Sequence, residues 1–562
     1  MRTKVRDLPY VRADVKALEN AFAEFVEAEK NAKSVDDVLS ARKKWLEAVE
    51  EATTNASIAM SRYTLDTRDE FYLGEQNFYD EVSPLLGEFM TKYAMVMMES
   101  KFRPELEKIL PETIYPMYEC QVKSFSPEII PDMQEENALT TKYVQLLSQL
   151  TTEWRGEKKP ISFIRGFLED KDREVRKSAA EAIDRALASV SDQFDGIYDD
   201  LVKVRTRMAR KLGYDNYIQM GYYRMGRIDY NEEMVKVFRD NVKNSLVPVI
   251  TKMKRRVADA LGIDQMHFYD NDVIEGEGNP RPYPDEQGIL LAAKEMYREM
   301  HPEIGDFMDS MMEAEAFDVT ARDGKSGGGY CTTFDKFRQP FIFANFNGSS
   351  GDVDVVTHEF GHALAMNYVF DHGDPEVAIG SSETAETHSM SMEFFSWKFM
   401  DKFFKDVDRY HYTHLSGALT FIPYGVIVDE FQHIVYGNPD MTPAERNQAY
   451  LDLEKKYRPY LDYEGLPYLG KGTRWQYQSH IYESPFYYID YCLAQVVAFE
   501  FLAEMQKDYD GALKRYMDHC KRGGKYAFNK LVSLAGLKSP FEDGALDEIA
   551  GVVGDIIDSC RK

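Results

Sequence analysis

The sequence predicts a mainly α-helical protein with one small β-sheet. Apolar residues recur at spacings of three and four, with charged residues between them, along residues 11–52 and 172–214. This period is typical of amphipathic helices. Segments rich in β-favouring residues, separated by Gly, Asp and Asn, occur in residues 317–352. These patterns favour a large helical scaffold interrupted by a short β region.

The length and charge of the chain limit its class. Its 562 residues, 44% of them hydrophobic, exceed the roughly 250–300 residues at which single cores stop growing, so we expect more than one domain. The 68 basic residues are outnumbered by 95 acidic ones, which gives a net charge of -27. Such an acidic chain disfavours nucleic acids and anionic membranes as partners.

Targeting and redox signals point to the cytoplasm. The first 22 residues contain no apolar segment of the kind that signal peptides carry. Nowhere does the sequence hold a run of about 18 apolar residues, so we expect no membrane span. The five cysteines are scattered and show no CxxC spacing. We therefore expect a reduced, cytoplasmic compartment.

The two non-helical stretches follow one another in the second half of the chain. Residues 276–288, GEGNPRPYPDEQG, are rich in Gly and Pro and predict a loop. Residues 317–352 contain FDVTA, GYCTTF and PFIFANF, which predict strands joined by hairpins. The last of these strands leads directly into a helix that carries two histidines.

This histidine helix contains the HExxH motif. Residues 353–370, VDVVTHEFGHALAMNYVF, are apolar nearly all round, which predicts a buried helix. His358 and His362 are four residues apart and share a helix face, so both imidazoles can bind one zinc ion. Glu359 is placed to act as the general base of a metallopeptidase. Two histidines and a glutamate buried without partners would be costly, and this cost favours a metal site.

A second helix is predicted over residues 378–400, and it supplies candidates for a third zinc ligand. A catalytic zinc site needs three protein ligands and one open position. Glu386 and Glu393 are seven residues apart on one face, and Glu383 lies near them. His388 is also available but points to another face of the helix. The spacing alone does not decide between Glu383 and Glu386.

The order THEFGHALA followed by ETHSMSME resembles the thimet oligopeptidase and oligoendopeptidase F family of zinc peptidases, in particular its oligoendopeptidase F branch. Members carry an E-x-x-S-x-x-x-E segment whose first Glu binds zinc. The resemblance therefore implies that Glu386 is the third ligand and that Glu393 orients a ligand imidazole. Asp352 and Asp354 are weaker candidates for the orienting role, since helix capping is the favoured interpretation for both. Thermolysin-like enzymes are disfavoured because their E-x-x-x-D pattern is missing here.

The resemblance extends to residues 472–495. Family members carry an H-x-x-x-x-P-F-Y-x-x-x-Y pattern, whose imidazole and hydroxyl groups stabilise the oxyanion formed during attack. It implies this role for His480 and Tyr491. For the other tyrosine, the spacing of three from Tyr491 favours Tyr488, and Tyr487 is nearly as well placed. Simple aromatic packing is the alternative interpretation.

A glycine-rich loop precedes the histidine helix. Residues 325–334, KSGGGYCTTF, resemble a loop beside the active site of family members. Gly328, Gly329 and Tyr330 are therefore predicted to contact substrate, together with Tyr487, because glycine lets a peptide approach the backbone closely. A mobile surface hairpin is the alternative.

The family-like order covers roughly residues 200–555. It implies an N-terminal helical lobe over residues 1–200 and a catalytic zinc peptidase domain over residues 201–562. It also implies two helical lobes that enclose a deep substrate channel, with the small β-sheet beside the zinc site and one Zn2+ per chain.

The activity implied is endopeptidase cleavage of short unstructured oligopeptides. A zinc dipeptidase or carboxypeptidase is the alternative, with Arg474 as a candidate to hold a terminal carboxylate. A non-catalytic zinc protein is disfavoured because every catalytic residue type of the motif is present. The sequence does not decide between a monomer and a homo-oligomer.

Overall fold

A computed structural model describes residues 3–273, 279–378 and 380–560. These residues form a predominantly helical protein with small β-sheets, which confirms the predicted fold class. The α-helices in chain order are α1 Val15–Asn31, α2 Val35–Leu65, α3 Glu70–Glu99, α4 Arg103–Ile109, α5 Ile114–Lys123, α6 Ile130–Ser148, α7 Ile161–Arg165, α8 Arg173–Ala188, α9 Ser191–Lys211, α10 Tyr217–Arg224, α11 Glu232–Asn241, α12 Val247–Leu261, α13 Glu286–Met300, α14 Pro302–Glu313, α15 Gly351–His372, α16 Ser382–Phe395, α17 Val407–Gly437, α18 Pro443–Tyr457, α19 Ser479–Glu483, α20 Tyr488–Lys507, α21 Tyr509–Arg522, α22 Phe528–Leu534 and α23 Leu546–Ser559. The strands are β1 Thr151–Trp154, β2 Glu157–Pro160, β3 Phe317–Thr320, β4 Tyr330–Phe334 and β5 Gln339–Phe346.

The chain forms two compact units that alternate along the sequence. The first unit consists of Met1–Val122, Arg281–Val407 and Glu500–Leu537. The second consists of Lys123–Pro280, Asp408–Phe499 and Lys538–Lys562. The division at residue 200 that the sequence led us to expect stays a prediction, as does the substrate channel.

The long helical stretch 172–214 is divided into α8 and α9. The chain leaves helical geometry at Val190, where φ is -124°. Gly213 follows α9 with φ of 86°, a left-handed conformation that suits glycine at a helix C-terminus. The amphipathic stretch is therefore helical, as expected, and consists of two helices, the second followed by a glycine.

The predicted loop at residues 276–288 is described in part. Residues 276–278 lie outside the described residues, and residues 279–285 form neither helix nor strand. Asp285 then caps α13, because its carboxylate accepts a hydrogen bond from the Gly288 N–H at 2.8 Å. The predicted loop thus ends where α13 begins.

The three predicted strands form a sheet in the first unit with the order β3-β5-β4. β4 and β5 are antiparallel and form a hairpin, as expected. The expectation of hairpins throughout is wrong for β3, which pairs with β5 in parallel. β5 is the central strand, and its nearly continuous burial explains the apolar run PFIFANF.

The histidine helix α15 lies at the centre of the first unit. It packs against β4 and β5 of the sheet, and also against α16 and α21. Phe360, fully buried, stacks on Tyr297 with ring centroids 3.8 Å apart. Contacts on several sides explain why the helix is apolar nearly all round, as the sequence predicted.

The second unit has an aromatic core. Tyr143 and Tyr482 stack with ring centroids 3.8 Å apart, and Trp475 is fully buried beside them.

A short hairpin, β1–β2, turns through Arg155 and Gly156 with φ of 53° and 80°. This pair of left-handed residues suits a two-residue hairpin turn, which the sequence analysis did not predict.

Within residues 3–273, 279–378 and 380–560, no helix is both long and apolar enough to cross a bilayer.

Candidate active site

The site in the first unit depends on the close approach of α15 and α16 at Gly361. A Cβ atom added to Gly361 would lie 2.6 Å from the carbonyl oxygen of His388 and 2.7 Å from Cα of Ser389. Any other residue would push the two helices apart or shift the backbone of α16. Glycine therefore lets the helix that carries Glu386 pack directly against the helix that carries the two histidines.

The three predicted ligands lie together. Oε2 of Glu386 is 3.4 Å from Nε2 of His358 and 3.7 Å from Nε2 of His362. All three ligand atoms lie within 4.8 Å of one another. Nitrogen and carboxylate-oxygen ligands at about 2.0–2.2 Å from a tetrahedral zinc ion are about 3.3–3.6 Å apart. The donor set and its spacing therefore fit zinc.

The structure separates the other candidates of α16 from this group. Among the described residues, the group of side chains around the two histidines that could share one ion includes Glu386 and leaves out Glu383. His388 is fully buried, and its Nε2 lies 3.1 Å from Nδ1 of His519 on α21. This contact agrees with the expectation that His388 points to another face of the helix.

Two further side chains orient the group. His358 Nδ1 lies 2.7 Å from Oε1 of Glu393, which leaves Nε2 as the nitrogen that faces Glu386. The hydroxyl of Ser389 donates to Oε2 of Glu386 at 3.1 Å. Outer partners of this kind fix the ring orientation and raise the basicity of a ligand. Ser389 is the serine of the E-x-x-S segment, so the sequence pattern already contained this residue.

Asp352 has a different partner. Its carboxylate accepts hydrogen bonds from the backbone N–H groups of Asn347 at 2.9 Å and Gly348 at 2.7 Å. It therefore holds the loop that enters α15, and neither bond goes to an N–H group of the helix itself.

The charges of the group are set by burial and by the two carboxylates. Burial opposes the charged form of His358, but Glu386 and Glu393 outweigh it and hold the pKa of His358 well above its usual value. Burial lowers the pKa of His362 to about 4, so this imidazole stays neutral. Burial would raise the pKa of Glu386, but the neighbouring His358 and His362 lower it. The two carboxylates thus favour positive charge at this half-buried site, which suits a divalent cation.

Glu359 is buried beside the edge of the sheet. Burial raises the pKa of Glu359 to about 7, although the charge of His358 and a hydrogen bond from the Cys331 backbone N–H oppose this rise. A carboxylate with a pKa near neutrality is suited to accept and return a proton. Cys331 belongs to β4, so the sheet contributes directly to the surroundings of this carboxylate.

The glycine-rich loop is held by hydrogen bonds. The side-chain amide of Asn345 donates to the carbonyl oxygens of Ser326 and Gly328 at 2.8 and 2.9 Å. Gly328 has φ of 88°, which other residues rarely adopt, whereas Gly329 is exposed with an ordinary φ. These bonds favour a shaped loop over a mobile hairpin.

Tyr330, predicted to contact substrate, has its side chain engaged within the unit. Its ring stacks on Phe343 at 4.8 Å, and its hydroxyl lies 2.6 Å from Oγ1 of Thr64. The side chain thus ties β4 to β5 and to α2. The contacts of Gly328, Gly329 and Tyr330 with a peptide stay predictions.

The predicted donors gather in the second unit. The His480 ring lies 5.9 Å from that of Tyr487, 4.9 Å from Tyr488 and 6.2 Å from Tyr491. Tyr487 is 4.9 Å and Tyr488 5.8 Å from Tyr491. The structure brings the four rings together, and both Tyr487 and Tyr488 remain candidates to act with Tyr491.

The backbone before these tyrosines is strained and supported. Phe486 has φ of 69°, which is unusual for a residue with a bulky side chain. Its N–H donates to Gln432 Oε1 at 3.0 Å, and its carbonyl accepts from Arg227. Arg227 also donates to Asp490 at 2.8 Å. Strained backbone of this kind is found where positioning matters, and sequence reasoning missed these supports because they come from distant segments.

Arg474 was a candidate to hold a terminal carboxylate. Its guanidinium lies over the rings of Tyr424 at 5.1 Å and Tyr477 at 5.2 Å. These contacts give the residue a role in packing within its own unit.

Comparisons with known proteins agree with this geometry. The sequence profile of peptidase family M3 matches residues 167–551, and that of the peptidase M3 N-terminal domain matches residues 5–125. The chain belongs to peptidase family M3. The resemblance to the oligoendopeptidase F branch is thereby confirmed, as the following relatives show.

Two solved structures match nearly the whole chain. One is PZ peptidase A, at 41% identity over 99% of each chain, with a TM-score of 0.92. The other is a protein from Bacillus anthracis str. Ames assigned as an oligoendopeptidase F, at 38% identity over 99% of this chain and 98% of that chain, with a TM-score of 0.87. Oligopeptidase PepF of Bacillus subtilis (strain 168) is 24% identical over 378 residues, which are 64% of this chain. The match spans 53% of PepF, so the chain covers about half the length of this curated relative.

The contact at Gly361 predicts the effect of a single methyl group. Gly361→Ala should destabilise the protein and lower its zinc content, because the new Cβ cannot fit against the backbone of α16. Thermal unfolding and metal analysis of the purified variant measure the two effects. Gly74→Ala on α3 is the control, since a Cβ there meets nothing within 4 Å. Equal behaviour of the two variants would contradict this interpretation of the helix contact.

Proposed function

We propose that the protein is a zinc-dependent endopeptidase that hydrolyses internal bonds of short unstructured oligopeptides. The observation that carries the proposal is the convergence of His358, His362 and Glu386, with Glu359 in the same motif, at spacings that fit zinc. Membership of peptidase family M3 supports peptide hydrolysis as the reaction.

One zinc ion per chain would be held by His358 and His362 through their Nε2 atoms and by Glu386 through its carboxylate. Glu393 keeps His358 in the orientation that presents Nε2 to the ion, because its Oε1 accepts a hydrogen bond from the Nδ1–H. The chemistry that zinc supplies when bound is that of a Lewis acid, which makes water more nucleophilic near neutral pH and polarises a carbonyl oxygen.

Glu359 is the proton carrier in this proposal. Its carboxylate accepts a proton from the attacking water and returns it to the leaving amine nitrogen. Its burial at the edge of the sheet and the pKa of about 7 support this role, since the group can hold and release a proton at neutral pH.

His480 and the nearby tyrosines are proposed as hydrogen-bond donors to the oxyanion. Removing one such donor typically costs about 10²–10³-fold in rate. The clustering of His480 with Tyr487, Tyr488 and Tyr491 supports a common role. We assign the donor role to His480, Tyr488 and Tyr491, and peptide contacts to Tyr487, Gly328, Gly329 and the backbone of Tyr330.

The names of related proteins support short peptides as the substrates. Oligopeptidase PepF and the oligoendopeptidase F protein carry names that denote cleavage of oligopeptides. The loop that Asn345 holds at Gly328 supports an extended substrate, because exposed glycine lets a peptide approach closely.

The role of Glu359 is tested by Glu359→Gln. The variant should lose about 10²–10⁴-fold in kcat, because the amide cannot accept a proton, while zinc content stays unchanged. Hydrolysis of a fluorogenic peptide and metal analysis measure the two properties. Glu50→Gln, at a partly buried glutamate of α2, is the control and should keep its activity. Turnover by Glu359→Gln at the rate of the unmodified enzyme would overturn the mechanism.

The ligand assignment is tested on three glutamates of α16. Glu393→Gln should weaken zinc binding by about 10–100-fold, as expected for a residue that orients a ligand. Glu386→Gln should weaken it further, and Glu383→Gln should leave it unchanged. Competition with a chelator gives the three affinities. A larger loss for Glu383→Gln than for Glu386→Gln would show that the third ligand is misassigned.

The endopeptidase assignment is tested with blocked peptides. A peptide acetylated at its N-terminus and amidated at its C-terminus should be cleaved at an internal bond as fast as the same peptide with free ends. Mass spectrometry of the products identifies the bond. Cleavage restricted to peptides with a free C-terminus, releasing terminal residues, would favour the carboxypeptidase alternative.

A further inference from the structure

His480 is connected to a polar chain that the proposed mechanism does not yet use. Its Nδ1 lies 2.8 Å from Nε2 of Gln478. The other end of the same amide, Oε1 of Gln478, accepts a hydrogen bond from the hydroxyl of Tyr424 at 2.6 Å. Tyr424 belongs to α17, and all three residues lie in the second unit. We call this chain the Tyr424–Gln478–His480 relay.

We propose that Tyr424 and Gln478 are positioning residues that hold His480 as the tautomer protonated at Nε2. The proposal rests on the donor role of His480 given above. A neutral imidazole carries one N–H and one lone pair, so the nitrogen that accepts a bond determines which nitrogen donates. When Gln478 donates to Nδ1, the N–H of His480 must be at Nε2.

The direction of the relay follows from the chemistry of its members. The amide of Gln478 has a donor end and an acceptor end, and turning it over would exchange them. The orientation is fixed if the hydroxyl of Tyr424 is the donor, because only Oε1 can accept from it. The tautomer of His480 is then set by a residue that does not touch it.

Two arginines favour Tyr424 as the donor. The guanidinium groups of Arg458 and Arg474 lie over its ring, 5.2 and 5.1 Å from the centroid. Positive charge beside a phenol draws electron density from the hydroxyl and strengthens it as a proton donor. Burial raises the pKa of Tyr424 and the two arginines oppose the rise, so the group keeps its proton and donates it in a hydrogen bond.

The surroundings of His480 favour its neutral form. Burial lowers the pKa of His480. The rings of Tyr487, Tyr488 and Tyr491 surround it. A neutral imidazole has a single N–H to offer to an oxyanion, so the wrong tautomer would remove the donor altogether. This is why the orientation of Gln478 matters for the rate.

The tautomer is measured directly by NMR of protein labelled with 13C at Cδ2 of histidine, whose chemical shift separates the two neutral tautomers and the imidazolium. His480→Gln identifies the signal by its disappearance. In the full-length enzyme, we expect the Nε2–H tautomer. Gln478→Glu replaces the donor by an acceptor of nearly the same shape and should convert His480 to a form protonated at Nδ1. Tyr424→Phe should give a mixture of the tautomers.

The second test measures kcat and KM of the same variants. Gln478→Glu should lower kcat by about 10²-fold with little change in KM, as expected for loss of a donor used in the transition state. Tyr424→Phe should give a smaller loss of the same kind. Tyr477→Phe is the matched control, because its ring also stacks with Arg474 but its hydroxyl is outside the relay, and it should change neither the tautomer nor kcat.

Several outcomes would overturn the proposal, and each has a distinct meaning. An Nδ1–H tautomer in the unmodified enzyme, or an unchanged tautomer in Gln478→Glu, would overturn the relay whatever the kinetics. Unchanged kcat in His480→Ala would overturn the donor role on which the proposal rests, even with the tautomer as expected. An unmodified enzyme without peptidase activity would instead reject the proposed function, which the NMR signal does not measure.

Discussion

The backbone contact between α15 and α16 at Gly361 is the constraint on which the candidate site depends. With 2.6 Å between an added Cβ and the carbonyl of His388, the position leaves no room for a side chain. At this separation, Glu386 comes within 3.4–3.7 Å of the two imidazoles. The glycine within HEFGH therefore has a structural role as definite as the chemical roles of the histidines and glutamate around it.

Burial and neighbouring charges set the protonation states of these side chains. Burial keeps His362 neutral and raises the pKa of Glu359 to about 7, while Glu386 and Glu393 place negative charge around His358. Buried carboxylates and imidazoles are costly unless something satisfies them, and a dication does so for the whole group. In the second unit, the hydrogen bonds of the Tyr424–Gln478–His480 relay determine which ring nitrogen of His480 carries its proton.

Local sequence was informative where the structure is local. The HExxH spacing predicted one helix face, and E-x-x-S distinguished Glu386 from Glu383 through a family resemblance. Strand segments were found by composition, but the parallel pairing of β3 with β5 was not, because pairing joins segments far apart in sequence. The link between Gln478 and Tyr424 was missed for the same reason: 54 residues separate them, and no periodicity reports such a contact. Helical spacing did not choose between Tyr487 and Tyr488, since each lies within one turn of Tyr491.

Zinc binding by His358, His362 and Glu386 can be tested by anomalous diffraction. Data from crystals of the full chain, recorded above and below the zinc absorption edge, locate zinc without assumptions about ligands. We expect one peak per chain, bounded by Nε2 of His358, Nε2 of His362 and the carboxylate of Glu386. A peak bound by other side chains, or none at these three in crystals grown with zinc, would contradict it.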